Sequence, residues 1–169
     1  MSLSPYVASL RKHVGRDLIL LPSVGAAVYD DEGRILLIKH SDHGHWVWPG
    51  GSCEPNEIPA DSVVREVWEE AGLHVEPVSL LGVCGGPELE VHYRNGDVVS
   101  YVMTVFECRI LGGALRADQV ESTEVRFFDP SELKDLSMPP WAADVLPVLL
   151  SRGGTTGFQR ATWRPQDGP

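Results

Sequence analysis

The sequence contains few cysteines, no long apolar run and a shortage of basic residues. Its three cysteines, Cys53, Cys84 and Cys108, form no CxxC pair, and an odd number leaves at least one thiol unpaired in a monomer. This excludes a disulfide framework and predicts a reducing, cytoplasmic setting. The longest apolar stretches, such as residues 18–21, fall far short of the roughly 18 residues that span a bilayer, and the N-terminus lacks a signal-peptide pattern. We therefore expect neither a membrane span nor export.

The charge balance limits the class of partner. Fourteen Lys and Arg stand against 24 Asp and Glu, which gives a net charge of -10. Such a surface repels a phosphate backbone, so extended nucleic acid is not an expected partner. A small phosphorylated ligand remains compatible, because a cation held in one pocket attracts an anion locally. The length of 169 residues fits a single domain with a core that needs no disulfide.

Hydrophobic periodicity divides the chain into helices and strands. Apolar residues spaced by three or four predict a short helix within residues 4–13 and a second helix over 59–71, begun by Pro59 and ended by Gly72. Branched and small apolar runs predict strands or extended pieces at 18–29, 34–40, 46–48, 78–84, 90–93, 98–110 and 125–129. Turn residues at 31–33 and at Asn95-Gly96 predict two β-hairpins.

The C-terminal third completes the predicted domain. Ser131 is the expected N-cap of a helix that continues to Leu150 despite Pro139 and Pro140. We expect three parts: an N-terminal helical arm at 1–17, a domain at 18–152, and a flexible or loosely docked tail at 153–169. Strands flanking one buried helix, with another helix at the end, predict an α/β (α+β) fold, an α/β/α sandwich with a mixed sheet.

The 59–71 helix carries an unusual concentration of acid. Glu66, Glu69 and Glu70 fall within a sector of roughly 100° on a helical projection. One interpretation is a solvated face with an Arg65–Glu69 pair. Against it, clustered carboxylates repel one another, and a divalent cation relieves that cost; hard oxygen ligands favour Mg²⁺, with Mn²⁺ as a substitute. The preceding glycine-rich loop adds two further carboxylates, Glu54 and Glu57.

The spacing of these residues resembles a known signature. Gly51, five residues, Glu57, seven residues and then REVWEEAGL at 65–73 resemble the Nudix box of the Nudix hydrolase family over 23 consecutive residues. The resemblance extends outward, through the Trp46–Gly51 segment and the first predicted strands, over roughly residues 20–150. It implies a Nudix-type α/β/α sandwich and Mg²⁺-dependent hydrolysis of the pyrophosphate bond in a nucleoside diphosphate linked to a group X.

The same resemblance implies roles for individual residues. It implies metal binding by Glu66, Glu69 and Glu70, with support from Glu57 and from the backbone of Gly51, and catalytic importance for the three helix glutamates. Arg65 is expected to orient Glu69. For the general base, Glu121 and Glu124 are the hypothetical candidates, each with a surface carboxylate as the alternative; Glu88 and Glu90 are weaker ones.

Two positions depart from the residues usually found in the box. Asn56 stands where Gly is common, and Ile58 stands where a Ser or Thr often caps the helix. Asn tolerates the left-handed backbone conformation better than most residues. We expect a small stability cost from these departures and no loss of activity.

The sequence gives less information on substrate specificity than on any other property of the protein. Five aromatic residues are candidates for stacking a nucleobase, although a core role is more frequent: Trp46, Trp48, Tyr93, Phe127 and Trp141. His40, His43 and His45 lack zinc-site spacing, so we expect them in a polar loop near the substrate mouth.

The sequence leaves alternatives for the substrate, the function and the oligomeric state. ADP-ribose is the leading substrate, although Pro87 lies fourteen residues beyond Leu73, where ADP-ribose-cleaving relatives often have a proline at fifteen. The alternatives are hydrolysis of (deoxy)nucleoside triphosphates, RNA decapping, which the acidic charge disfavours, and a non-catalytic nucleotide sensor, which the intact glutamates disfavour. A homodimer through the N-terminal arm or an exposed β-edge also stays open.

Overall fold

The computed structural model describes residues 4–154 and 156–161. In this part of the chain the helices are α1 (Pro5–Val14), α2 (Pro59–Ala71) and α3 (Ala142–Leu149). The strands are β1 (Ile19–Val28), β2 (Ile35–His40), β3 (Trp46–Val47), β4 (Gly50–Ser52), β5 (Leu73–Cys84), β6 (Glu90–His92), β7 (Val98–Gly113), β8 (Ser122–Phe128) and β9 (Gly157–Phe158). None of the helices in these residues is both long and apolar enough to cross a membrane.

The strands form two sheets. The larger has the order β4-β1-β7-β5-β9, with β6 also paired to β7, and the smaller has the order β3-β2-β8. β1 runs parallel to β7, from the pair Ile19–Val99 to the pair Val28–Cys108. β5 runs antiparallel to β7, so the larger sheet mixes both directions, as predicted. The predicted hairpin at Asn95-Gly96 is confirmed, since β6 and β7 pair antiparallel around it.

The predicted hairpin between β1 and β2 is wrong. The two strands lie in different sheets and share one isolated bridge, Tyr29 to Ile35. Both edges of β1 are taken by β4 and β7, and both edges of β2 are taken by β3 and β8. β4 takes the second edge of β1 at residues 23–25 and β3 takes that of β2 at Ile38 and Lys39, so antiparallel pairing of β1 with β2 stops at this one bridge.

The sheets lie between α2 and α3, which makes the sandwich three layers deep. Alternation along β1 and β2 divides their side chains between two cores, because successive residues of a strand point to opposite faces. Val24, Ala26, Val28, Leu36 and Ile38 pack in the cluster that contains Val63, Val67 and Ala71 of α2. Ala27, Ile35 and Leu37 pack in the cluster that contains Val145 and Leu149 of α3. The predicted α/β/α architecture with a mixed sheet is confirmed.

The C-terminal helix differs from the prediction in its start and its continuity. Asp129, rather than Ser131, is the N-cap: its carboxylate accepts the Ser131 N–H, and Glu132 bonds back to the Asp129 N–H. The helix that follows is a 3₁₀ segment, Pro130–Asp135, and α3 begins only at Ala142. Pro139 and Pro140 separate the two pieces, since proline supplies no N–H for a continuous helix.

Part of the predicted tail joins the larger sheet. Gly157 and Phe158 pair in parallel with Gly82 and Val83 of β5. A side chain at Gly82 would place its Cβ 2.5 Å from the Gly157 carbonyl oxygen, so glycine is required for this approach. Residues 155 and 162–169 of the predicted tail and residues 1–3 of the predicted arm lie outside the described residues.

Helix α2 has the predicted bounds but an incomplete start. Ile58 is its N-cap, in extended conformation and without a side-chain hydrogen bond, and Gly72 ends the helix in the left-handed conformation at φ 72°. Asn56 also adopts a left-handed conformation, at φ 73°, as expected for its place in the box.

Ile58→Ser is expected to raise the free energy of unfolding by about 1 kcal/mol. The serine hydroxyl would accept an N–H at the start of α2, where the side chain of Ile58 offers no acceptor and the residue is 59% exposed. Urea denaturation of Ile58→Ser and Ile58→Ala measures the effect, because the alanine variant removes the same apolar surface without adding a cap. Equal stability of the two variants would contradict the capping account.

Candidate active site

The site is built where β4 passes beside α2. β4 pairs with β1 through Gly50 and Gly51, which brings its backbone against the helix. A side chain at Gly51 would place its Cβ 2.5 Å from the Glu66 Oε1. Glycine therefore lets the Glu66 carboxylate lie directly against the strand, at the position where the sequence predicts a contribution from the Gly51 backbone.

The three helix glutamates differ in burial. Glu66 and Glu70 are 7% and 3% exposed, whereas Glu69 is exposed. Glu70 Oε2 accepts a hydrogen bond of 2.9 Å from the Gly50 N–H. Burial raises the pKa of Glu66 to about 7 and that of Glu70 well above its ordinary value, and the two carboxylates repel each other. A plain solvated face does not account for two buried carboxylates.

Arg65 joins the box carboxylates into one network. Its Nε and one terminal nitrogen donate to the two oxygens of Glu57, at 2.8 and 3.0 Å. The other terminal nitrogen donates to Glu66 at 2.8 Å and to Glu69 at 3.2 Å. The hydrogen bonds from Arg65 lower the pKa of Glu57 to about 2. The arginine thus contacts Glu69, as expected, but its two-pronged contact is with Glu57.

The carboxylates of the box are of the chemical type that binds a hard divalent cation. In residues 4–154 and 156–161, no three Asp, Glu, His or Cys side chains converge on a single point. Arg65 holds Glu66 and Glu69, and Glu70 bonds to Gly50. Two buried, mutually repelling carboxylates beside an exposed third are nevertheless oxygen ligands whose charge a cation would neutralise. The residues present therefore fit a cation such as Mg²⁺ or Mn²⁺ by their chemistry.

The two candidate general bases lie in different surroundings. Glu121 lines the same cavity as the helix glutamates, and its charge helps to raise the pKa of both Glu66 and Glu70. Glu124 is exposed on β8 and forms a 2.7 Å ion pair with Lys39. The structure thus brings Glu121, and not Glu124, to the box.

A compact loop sets the position of Glu121. Asp118 Oδ1 accepts hydrogen bonds from three successive backbone N–H groups, including those of Glu121 and Ser122, at 2.8 to 3.1 Å. The hydroxyl of Ser122, which is fully buried, donates to the Glu70 carbonyl at 2.6 Å. The loop is therefore tied to the end of α2 that carries the buried carboxylates.

Asp118→Ala is expected to lower kcat by about tenfold with a smaller change in KM, because Glu121 would lose its fixed place. The loss of the three N–H contacts is also expected to cost about 1–2 kcal/mol of stability. Asp129→Ala is the matched control, since Asp129 caps a 3₁₀ segment in a similar manner outside the site. Steady-state kinetics and urea denaturation test the pair; equal kinetic losses in the two variants would reject a positioning role for Asp118.

The cavity beside the box, hereafter the box cavity, has a volume of about 780 Å³. This lies in the range of small-molecule sites. Besides the carboxylates it is lined by His40, His43, Trp48, Tyr93, Tyr101 and Trp141. The rings of His40 and His43 stack at 4.4 Å, and burial lowers the pKa of both. Two of the three histidines of the predicted loop thus line the cavity; His40 does so from the end of β2 rather than from a loop, and His45 is not among the lining residues.

The aromatic candidates divide between the cavity and the core. Trp48 and Trp141 meet edge to face at 5.3 Å along the cavity. Trp46 packs edge-on against Phe128, and Phe127 packs against the core beneath α2. Tyr101 was not among the predicted stacking residues. The alternation of β7, which places positions 99, 101 and 103 on one face, is the signal that identifies it.

Comparisons with known proteins agree with this geometry. A family model described as the NUDIX domain matches residues 20–149. A "MutT-like protein" of Streptomyces ambofaciens is 37% identical over 131 residues, 78% of each chain. An "ADP-ribose pyrophosphatase" of Methanocaldococcus jannaschii is 36% identical over 124 residues, 71% of this chain and 69% of that one.

A solved structure shares the architecture as well. The crystal structure of an ADP-ribose pyrophosphatase from Streptococcus suis superposes with a TM-score of 0.62 at 27% sequence identity. The match covers 82% of this chain and 96% of that one. The fold therefore occurs in a solved protein of similar extent.

Proposed function

The chain belongs to the NUDIX domain family of hydrolases, and from this premise we propose that it hydrolyses the pyrophosphate bond of a nucleoside diphosphate linked to a group X, with Mg²⁺ as the cofactor and Mn²⁺ as a substitute. The observation that carries the proposal is the pair of buried carboxylates, Glu66 and Glu70, which face a cavity of nucleotide size. Such a pair is costly in the absence of a cation and suits a site that receives one together with an anionic substrate.

In the proposed reaction, the oxygen of water forms a bond to one phosphorus of the pyrophosphate, the bond from that phosphorus to the bridging oxygen breaks, and the other phosphate leaves with the bridging oxygen. A bound divalent cation would screen the charge of the pyrophosphate and favour this attack. Glu66, Glu69 and Glu70 would hold the cation, with Glu57 and the Gly51 backbone in supporting roles. Arg65 orients the carboxylates that it contacts, and Glu121 accepts the proton of the attacking water.

ADP-ribose is the proposed substrate. Support comes from the relatives of Methanocaldococcus jannaschii and Streptococcus suis, whose names state that activity. The second candidate is a (deoxy)nucleoside triphosphate, and the MutT-like relative of Streptomyces ambofaciens favours it. Both candidates are small nucleotides, in keeping with a net charge of -10 that disfavours extended nucleic acid. Three free thiols are compatible with the proposed cytoplasmic location.

The test is hydrolysis by the purified protein in Mg²⁺, in Mn²⁺ and in EDTA, with products identified by mass spectrometry. AMP and ribose 5-phosphate from ADP-ribose are the expected products, and EDTA is expected to abolish their formation. A monophosphate and pyrophosphate from a triphosphate would favour the second candidate. Turnover that persists in EDTA would contradict the cation-dependent mechanism.

A further inference from the structure

The N-terminal helix forms one wall of the box cavity. Val7 is buried and packs with Leu21 and Val99 in a small apolar cluster, separate from the two main cores. Ser4, Pro5, Val7 and Arg11 all line the box cavity, although α1 precedes the residues that match the family model. The predicted arm is therefore in contact with the site rather than apart from it.

Arg11 fixes this helix to the turn between β6 and β7. One terminal nitrogen donates to the Val98 carbonyl at 2.9 Å, and the other donates to the Asp17 carbonyl at 2.7 Å. Its Nε lies 3.5 Å from Asp97, and the two side chains are only 9% and 11% exposed. A buried arginine with partners on both sides of the helix end holds α1 in a single position over the cavity.

The wall faces two tyrosines whose hydroxyls lie in contact. The Tyr93 and Tyr101 oxygens are 2.6 Å apart, and both rings pack against the cluster that contains Val7. Leu89 and Met103 add apolar surface nearby. The lining of the cavity thus combines an aromatic and apolar part, which carries two hydroxyl groups, with the carboxylates of the box. An aromatic ring with polar edges matches the aromatic part, because tyrosine offers both stacking surface and hydrogen bonds.

We propose that α1 and the Tyr93–Tyr101 pair form the subsite for the aromatic base of the nucleotide, with Arg11 as the positioning residue that holds the wall. The inference rests on the proposed function for the identity of the ligand. It makes the N-terminal helix a determinant of substrate affinity, since displacement of α1 would open the base subsite while leaving the box intact.

The test uses two probes that differ in the base: AMP carries one and ribose 5-phosphate does not. Their binding to the full-length protein is measured by titration calorimetry with Mg²⁺ present. In Arg11→Gln and in Tyr93→Leu, the Kd of AMP is expected to rise by about tenfold, and that of ribose 5-phosphate by less than about twofold. Lys12→Gln is the matched control, because it removes one charge from an exposed position of the same helix.

The kinetic readout separates positioning from general damage. Arg11→Gln is expected to raise KM with kcat nearly unchanged, whereas partial unfolding would lower kcat. Tyr93→Leu tests the subsite independently if Arg11→Gln fails to fold. Unchanged AMP affinity in the folded variants, equal weakening of both probes, or no AMP binding by the wild-type protein would overturn the proposal. AMP binding that depends on Arg11 without any hydrolysis would retain the base subsite and reject the proposed reaction.

Discussion

Glu70→Gln is expected to lower kcat by about a hundred- to a thousandfold while the protein stays folded. Glutamine has the size of glutamate and keeps an oxygen that accepts the Gly50 N–H, so only the negative charge is lost. In the proposed reaction that charge holds the cation at the buried end of the site. Steady-state kinetics over a range of Mg²⁺ concentrations measures the loss, and a rate near that of the wild type would contradict the assignment.

The same substitution has a second expected effect, on stability. Burial raises the pKa of Glu70 well above its ordinary value, so the folded state disfavours the charged form and the amide removes that cost. Metal-free Glu70→Gln is therefore expected to melt at or above the Tm of the wild type, and to lose most of the rise in Tm that Mg²⁺ produces. Asp61→Asn, an exposed charge on the same helix, is the control, with kcat expected within about twofold of the wild type.

Arg65→Ala is expected to lower the free energy of unfolding by about 3 kcal/mol. The substitution removes the cation that bonds Glu57, Glu66 and Glu69, and it leaves the buried Glu66 carboxylate without its cationic partner. It is also expected to lower kcat/KM by about 10- to 100-fold, because the carboxylates lose their fixed orientation. Urea denaturation and steady-state kinetics measure the two effects.

Two further variants distinguish the effect of losing the hydrogen-bond network from the effect of losing one positive charge. Arg65→Lys keeps the charge but not the two parallel bonds to Glu57, so its losses are expected to be intermediate. Arg126→Ala removes an exposed arginine paired to Glu132, with an expected cost below about 1 kcal/mol and no kinetic effect. Equal losses in Arg65→Ala and Arg126→Ala would mean that the network has no special role.

The helices were predictable where local chemistry determines them. Pro59, the apolar spacing and Gly72 set the bounds of α2, because each acts within a turn of the helix. The pairing of β1 was not predictable, since its partner β7 lies about 80 residues away and periodicity carries no information on partners. The cap at Asp129 was missed for a different reason: both Asp129 and Ser131 are good caps, and only the backbone distinguishes them.

Part of the candidate site was likewise predictable from the sequence, and part of it was not. The acidic box could be located from spacing, which is a property of consecutive residues. The burial of Glu66 and Glu70 could not, because it depends on the approach of β4 and of the loop before β8. Proximity of Glu121 to the box, in contrast to Glu124, likewise follows from long-range packing. The role of α1 as a cavity wall required the contact of Arg11 with residues more than 80 positions away.

The short pairing of β9 with β5 bears on self-association. β5 is a twelve-residue strand, and β9 covers only Gly82 and Val83 on its outer side. A chain ended at residue 152 would leave those backbone groups open, next to exposed Leu80 and Val83, and an open apolar edge is a template for another chain. β9 would then protect the chain against aggregation, and a side chain at Gly82 would remove that protection by preventing the pairing of β9 with β5.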